Sequence, residues 1–188
     1  MKRVFLFLIL FTLVVVVRGQ TEVTKFLGIP VDGTKAEMIS KLKAKGFSSS
    51  KFDKDVLEGE FNGRDVLVFI ITNNHRVWRI MVGDMNLQGE TGTKILFNTL
   101  LRQFENNPKY MAYGINHPIP ESEDISYEIN VHDKRYEAAF CQKSLSGSDA
   151  GAENRIVWFM IDKNKDNDIY GISIFYDNLC NQANGEDL

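Results

Sequence analysis

Residues 162–168 come closest to a metal-binding motif. Their sequence, DKNKDND, alternates oxygen-bearing side chains as the start of a calcium-binding loop does. The pattern then departs from that motif, because Asn167 stands where a glycine makes the sharp turn and Ser173 stands where a bidentate glutamate closes the site. A solvated turn between two strands explains the same residues. We therefore predict no metal site and no cofactor.

Histidines and cysteine are the other side chains with catalytic potential. His75, His117 and His132 lie far apart at predicted turns or loops, without the H-x-x-x-H or H-E-x-x-H spacing that places two of them on one helix face. Cys141 lies inside a predicted strand, without small neighbours that would expose a nucleophile. The sequence contains no G-x-S-x-G elbow, P-loop or dinucleotide fingerprint. These patterns favour a protein that is not an enzyme.

A small hydrolase is the alternative from another functional class. It would use a cleft between the two halves of the chain, with His117 or His132 beside Asp133 or Glu121. A closed pocket in which a histidine and a carboxylate converge would favour this alternative.

Aromatic and arginine side chains in the strands indicate binding. The candidates are Arg76, Trp78, Arg79, Arg155, Trp158, Tyr170 and Tyr176. Exposed aromatic rings interleaved with arginines are typical of protein-binding surfaces. Alternation along a strand sends neighbouring side chains to opposite faces, and one face of each sheet must meet its helix. We predict that the other face binds a partner, although for both tryptophans packing in the core is favoured over an exposed position.

The first nineteen residues are typical of a secretory signal peptide. A basic start, Met1-Lys2-Arg3, precedes an apolar run over residues 4–17 that only Thr12 interrupts, and Gly19 provides a small residue before the cut. The run is shorter than the roughly 20 apolar residues that cross a bilayer, so an uncleaved anchor is the less favoured alternative. We predict a periplasmic or secreted protein that has no stable membrane span after cleavage.

Removal of a signal peptide would change the net charge of the chain and the redox environment of its cysteines. Loss of residues 1–19 removes three cations and moves the formal net charge from −3 to −6, which disfavours nucleic acid as a partner. Cys141 and Cys180 would then meet an oxidising compartment, where an even number of cysteines favours a disulfide. Two separate buried thiols explain the same pair equally well.

The elements of the first half are clearly marked. A capping box of Thr34 and Glu37 begins a helix that ends at Gly46. Strands over residues 56–61 and 64–72 meet at Asn62-Gly63, a strong hairpin signal, and a second hairpin turns at Asn73-Asn74.

The second half repeats this order. Apolar residues at helical spacing predict a helix over residues 93–106, and strands follow over residues 125–131, 135–142, 155–162 and 169–177. Val77-Trp78 and Val157-Trp158 repeat one dipeptide, which indicates an ancient duplication. The interpretation is an α+β fold of two tandem units, approximately residues 20–90 and 91–188. Each unit has one helix packed on an antiparallel meander of three to four strands.

Two stretches carry a resemblance to known proteins. The opening FLGIPVDG (residues 26–33) with its capped helix, and NTLLRQFENNPKY (residues 98–110), look like segments of small exported bacterial proteins of unknown function. The order of helix and meander, twice over, resembles the tandem architecture of β-lactamase-inhibitor proteins and their BLIP-like relatives. In that family the sheet faces of both repeats grip a partner enzyme. The resemblance implies the architecture and carries over no inhibitory residue.

Taken together, these patterns predict an exported, non-enzymatic binding module. Residues 20–188 would form a single domain whose open sheet face recognises a protein or a cell-envelope component. The sequence does not identify the partner.

Overall fold

A computed structural model of the chain describes residues 22–51, 53–144, 150–163 and 168–183. The predicted signal peptide and the centre of the calcium-like stretch, residues 164–167, lie outside these residues. Among the helices that are described, none combines the length and the apolar character needed to cross a bilayer.

Three helices and ten strands are described. The helices are α1 (Lys35–Lys43), α2 (Glu90–Glu105) and α3 (Ile125–His132). The strands are β1 (Lys25–Phe26), β2 (Ile29–Pro30), β3 (Ser48–Ser49), β4 (Val56–Phe61), β5 (Arg64–Asn73), β6 (Arg76–Asp84), β7 (Tyr110–Ala112), β8 (Glu137–Gln142), β9 (Arg155–Lys163) and β10 (Tyr170–Asn178). Two short 3-10 turns, Ala152–Asn154 and Leu179–Asn181, flank the last two strands.

Eight of the strands form one antiparallel sheet. Their order is β3-β4-β5-β6-β10-β9-β8-β7, and β1 pairs with β2 apart from it. The sheet is continuous because β6, from the first half of the chain, pairs with β10 from the second half. The predicted α+β class is confirmed.

One face of the sheet carries the core. A single row of paired positions crosses six strands, and each of its side chains is buried: Leu57, Val68, Val82, Ile174, Phe159 and Ala138. All three helices pack their apolar side chains into the same cluster, for example Met38 of α1, Phe97 of α2 and Ile125 of α3. The other face of the sheet is therefore free of these helices.

Local sequence signals position the first half as predicted. The capping box of α1 is present, with the Glu37 N–H donating to the Thr34 hydroxyl at 3.3 Å and the Thr34 N–H donating to the Glu37 carboxylate at 3.0 Å. Asn62 and Gly63 both adopt positive φ, 52° and 73°, as a tight hairpin turn requires. The second turn uses Asn74 and His75, one residue later than predicted.

The predicted strand over residues 125–131 is wrong. This segment forms α3, because Asp124 accepts a hydrogen bond from the Tyr127 N–H at 2.8 Å and Asp133 ends the helix with a φ of 53°. The residues at both ends thus cap a helix, although the apolar residues between them also fit a strand. Helix α2 begins at Glu90, three residues before the predicted start.

The predicted duplication is not confirmed. Counted from its own edge of the sheet, β6 with Trp78 is the fourth strand, whereas β9 with Trp158 is the third. The two Val-Trp dipeptides therefore do not occupy matching positions, and using them as equivalent landmarks was wrong. Helix α3 also interrupts the second half, where a simple helix-and-meander unit was expected.

Candidate binding face of the sheet

The sheet side opposite the helices carries a mainly apolar surface. One paired row on this side consists of Phe69, Met81, Phe175 and Trp158, and the next begins with Ile71, Arg79 and Asp177. We call this surface the Arg79 face and define it by ten residues: Leu67, Phe69, Ile71, Trp78, Arg79, Met81, Trp158, Met160, Phe175 and Asp177. No helix of the described residues covers it.

A charged pair lies at the centre of the Arg79 face. Arg79 donates two hydrogen bonds to the Asp177 carboxylate, from Nε and from Nη2, both at 2.7 Å. Trp158 Nε1 donates a third to the same carboxylate at 2.9 Å. The Asp177 side chain is only 4% exposed, whereas that of Arg79 is 21% exposed. The carboxylate is therefore enclosed, and part of the guanidinium still meets solvent.

Three aromatic rings surround this guanidinium. The Arg79 Cζ lies 4.3 Å from the centre of the Trp78 ring, 5.0 Å from that of Phe175 and 5.4 Å from that of Trp158. The Trp158 and Phe175 rings stack on each other at 4.0 Å. Each of the three contacts is within the range of a cation–π interaction. Two forked hydrogen bonds and three rings therefore hold the Arg79 side chain in one orientation.

A β-bulge brings Trp78 into this group. Ile71 pairs with Arg79, but the next residue, Thr72, pairs with Val77, so Trp78 is the additional residue of β6. A bulge re-aims the side chains at its position. Val77 is consequently buried in the core, and Trp78 contacts Arg79 on the opposite side of the sheet.

The Arg79 face is partly covered at one end. Cys141, Ala152 and Ile156 form a small second apolar cluster there, against which Trp158 and Leu179 pack. Further out, Leu67, Phe69, Ile71, Met81 and Met160 are half-buried. The open part of the face therefore runs from Trp158 towards β5.

The residues predicted for binding are divided between several places. Trp78, Arg79 and Trp158 come together on the Arg79 face, where both tryptophans are half-buried and Trp158 also packs against the second apolar cluster. Arg76 lies at the exposed start of β6 and forms an ion pair with Asp32 at 2.8 Å. Burial raises the Asp32 pKa, but hydrogen bonds from Asn181 and Arg76 together lower it by more. The Asp32 pKa is therefore below its ordinary value.

Tyr170, Tyr176 and Arg155 are on the helix side, contrary to the prediction. Their strand positions alternate with those of Phe175 and Trp158, so they face the core. The Tyr170 hydroxyl hydrogen-bonds with Ser126 Oγ at 2.7 Å. Tyr176 packs on Phe26 with ring centres 4.9 Å apart, and burial raises the pKa of its hydroxyl. These three residues are 0%, 4% and 3% exposed and cannot contribute to an open face.

Sequence reasoning missed seven of the ten members of the face, and two of these seven support its centre. Phe175 and Asp177 are both buried, at 8% and 3%, yet they hold Trp158 and Arg79 in place. Alternation places both on the side opposite Tyr176, but every residue of β10 is buried, so its sequence does not show which side Tyr176 faces.

The helix side of the sheet contains a cleft of 860 Å³ between the N-terminal hairpin and the segment after α2. Arg155, Tyr110 and Tyr176 are among its lining residues, and we call it the Arg155 cleft. It adjoins a second cleft of 530 Å³ that Phe61, Phe104 and Ile174 line. Neither cleft is lined by a histidine.

The histidines and carboxylates named for the hydrolase alternative do not line either cleft. His132 is exposed, and its Nδ1 lies 2.9 Å from a Glu128 carboxylate oxygen on the surface of α3. His117 is exposed on the segment before α3. Within the described ranges, no group of His, Cys, Asp and Glu side chains is arranged to hold a metal ion.

Both cysteines have free thiols in the structure. Cys141 is buried within the second apolar cluster, and Cys180 is exposed in the turn after β10. Burial raises the pKa of the Cys141 thiol.

Comparison of the chain with protein-family models, with curated proteins and with solved structures finds no match.

Proposed function

We propose that this protein is an exported binding module that recognises a protein partner of the cell envelope through the Arg79 face. The observation that supports this proposal most directly is the placement of Arg79, partly exposed and fixed among three rings on a sheet side that no described helix covers. Tryptophan and arginine are enriched among the residues that dominate binding energy at interfaces.

Preorganisation strengthens the argument. A free arginine side chain loses rotamer entropy when a partner immobilises it, and this loss reduces affinity. Asp177 already fixes Arg79 with two hydrogen bonds of 2.7 Å, so little of that loss remains for the binding step. Because Asp177 neutralises the charge, the favoured partner surface is apolar or aromatic, with a carbonyl or hydroxyl to accept from the guanidinium.

The apolar surroundings fit such a partner. Phe69, Ile71, Met81 and Met160 extend the surface beyond the rings, and flexible methionine side chains adapt to an apolar contact. The architectural resemblance to β-lactamase-inhibitor proteins stays a prediction. It supports the same proposal, because sheet faces grip the partner in that family.

Site-specific photo-crosslinking tests the proposal. A photo-reactive phenylalanine analogue is placed at Phe69 on the Arg79 face and, as a matched control, at Ile95, which is 62% exposed on α2. We expect the Phe69 position alone to give a discrete adduct in cells of the source organism. Adding Trp158→Ala to the Phe69 variant should reduce that adduct at least fivefold.

Three outcomes would contradict the proposal. They are the absence of any adduct, equal adducts from both positions, or a Phe69 adduct at twice the mass of the chain. The last result would identify the Arg79 face as a contact between two copies of this protein.

A further inference from the structure

Arg155 is a buried cation whose side chain the described residues satisfy only in part. Its side chain donates from Nε to the Gln142 carbonyl at 2.9 Å and from Nη1 to the Ala150 carbonyl at 3.3 Å. Its Nη2 is buried and has no hydrogen-bond partner among the described residues. Nor does any carboxylate of those residues form an ion pair with it. A guanidinium stays charged at any physiological pH, and a buried cation is favourable only beside an anion or other acceptors.

The cleft that Arg155 lines is strongly basic. Lys25, Lys109 and Lys143 line it as well, and Glu22 is the single acidic residue among its lining residues. This concentration of positive charge occurs in a chain whose formal net charge is −3. Cationic walls around a low-dielectric floor attract and hold anions.

The same cleft has an apolar part. Leu27, Tyr110 and Tyr176 line it, and Tyr110, Tyr176 and Phe61 also line the adjoining 530 Å³ cleft. Volumes of this size are typical of small-molecule sites, which combine apolar walls with a few convergent polar groups. The arrangement therefore suits a ligand with a charged end and an apolar body.

We propose that the Arg155 cleft binds a small amphipathic anion, whose carboxylate or phosphate group pairs with Arg155 and the cleft lysines and whose apolar part lies against Tyr110 and Tyr176. The guanidinium supplies its unused N–H donors to the anionic oxygens, and a forked pairing of this kind is the strongest that arginine makes. This site is on the opposite side of the sheet from the Arg79 face and is independent of the function proposed for that face.

Calorimetric titration of the purified protein tests this site. The probes are decanoate, decyl phosphate and uncharged decanol, each below its micelle-forming concentration, with inorganic phosphate as a competitor. We expect saturable binding of at least one anionic probe and none of decanol. Inorganic phosphate should compete with each anionic probe that binds, and tighter binding of decyl phosphate than of decanoate would assign the preferred head group as phosphate.

Variants connect the binding to the cleft. The double change Lys109→Ala/Lys143→Ala alters only exposed side chains, so the fold should persist, and we expect it to weaken binding at least fivefold. The matched control Lys41→Ala/Lys45→Ala removes the same charge from α1 and its C-terminal end, outside the cleft, and should leave binding unchanged. Arg155→Met should abolish binding while the far-ultraviolet circular dichroism spectrum stays native.

The proposal is overturned if neither anionic probe binds saturably, or if decanol binds as tightly as the anions. Equal weakening by the two lysine double variants would also overturn it, since net charge alone would then explain the binding.

Discussion

Asp177 is the residue on which the Arg79 face depends. Its enclosed carboxylate accepts from Arg79 Nε, Arg79 Nη2 and Trp158 Nε1, and its own carbonyl accepts from Thr24 Oγ1. Each of these donors would otherwise face a partly apolar environment. The residue thus connects the stability of the sheet centre with the orientation of the side chains proposed to bind.

We expect Asp177→Ala to lower the free energy of unfolding by about 3 kcal/mol, because it leaves a mostly buried guanidinium and an indole N–H without an acceptor. Urea denaturation at neutral pH measures this loss. The control is Asp55→Ala, which breaks the exposed ion pair with Lys35 at 2.7 Å and should cost at most about 1 kcal/mol. Equal losses from the two variants would show that the Asp177 carboxylate does not stabilise the centre of the sheet.

At the scale of elements, the segment after α1 meets β4 at a contact that only a glycine permits. A Cβ added at Gly59 of β4 would lie 2.8 Å from Cδ1 of the Phe47 ring, which is itself buried after the end of α1. The strand and the helix end are therefore fitted to each other without spare volume.

Gly59→Ala should destabilise the protein by about 1–3 kcal/mol, because the Phe47 ring must move within a packed core. Gly83→Ala is the matched control, since a Cβ there would meet nothing closer than 3.9 Å. It should be neutral or stabilising by up to about 1 kcal/mol, through the smaller entropy of the unfolded chain. Thermal unfolding of the two variants measures the difference, and a larger loss for Gly83→Ala would contradict the packing described here.

Helix α3 is attached to α2 by one carboxylate. Glu90 accepts from the Ile125 N–H at 3.0 Å and from Ser126 Oγ at 3.1 Å, and Lys94 lies 3.2 Å away. Burial raises the Glu90 pKa, but these partners outweigh it, and the pKa is below the ordinary 4.5. A carboxyl group with a lowered pKa stabilises the fold above its unfolded-state pKa, and that contribution is lost as the pH falls through its pKa in the folded protein.

We therefore expect Glu90→Gln to cost about 1–2 kcal/mol at pH 7 and less at pH 3, because the contribution of the charge declines as the pH falls towards the pKa of Glu90 in the folded protein. Unfolding free energies at both pH values for the natural and variant chains measure this difference. Glu121→Gln is the control, because that side chain is exposed. A Glu90→Gln loss that is the same at both pH values would exclude the charge as its cause.

For the whole molecule, the pairing of β6 with β10 joins the two halves of the chain. Every residue of β10 is buried, and its neighbours β6 and β9 come from different halves. Without the other half, β6 and β10 would each lose one of their two partner strands, so the sheet should unfold as one cooperative unit.

Each half contains one of the two tryptophans, which makes this prediction testable. Trp78→Phe leaves Trp158 as the fluorescent reporter of the second half, and Trp158→Phe leaves Trp78 as the reporter of the first. In each variant we expect the urea midpoint from fluorescence to coincide with the midpoint from circular dichroism. Separate midpoints within one variant would show that the halves unfold independently.

The sequence by itself determined the features whose causes are local. The capping box at Thr34, the hairpin turn at Asn62-Gly63 and the apolar spacing of α2 each depend on residues within a few positions, and the structure confirms them. The fold class followed from the same signals. The strand predicted for the segment that forms α3 was wrong. Its apolar residues fit the spacing of a helix and of a strand, and the capping contacts at its ends decide in favour of the helix.

Only the tertiary structure decided which side of the sheet each strand residue faces. The register of β10 between β6 and β9 places Phe175 and Asp177 with Arg79, and it sends Tyr176 and Arg155 into the helix side. A shift of one residue would exchange the two sets, and no local signal fixes that register because the paired strands are about a hundred residues apart. The aromatic and arginine residues were therefore predictable as a group, whereas their division between an open face and a basic cleft was not.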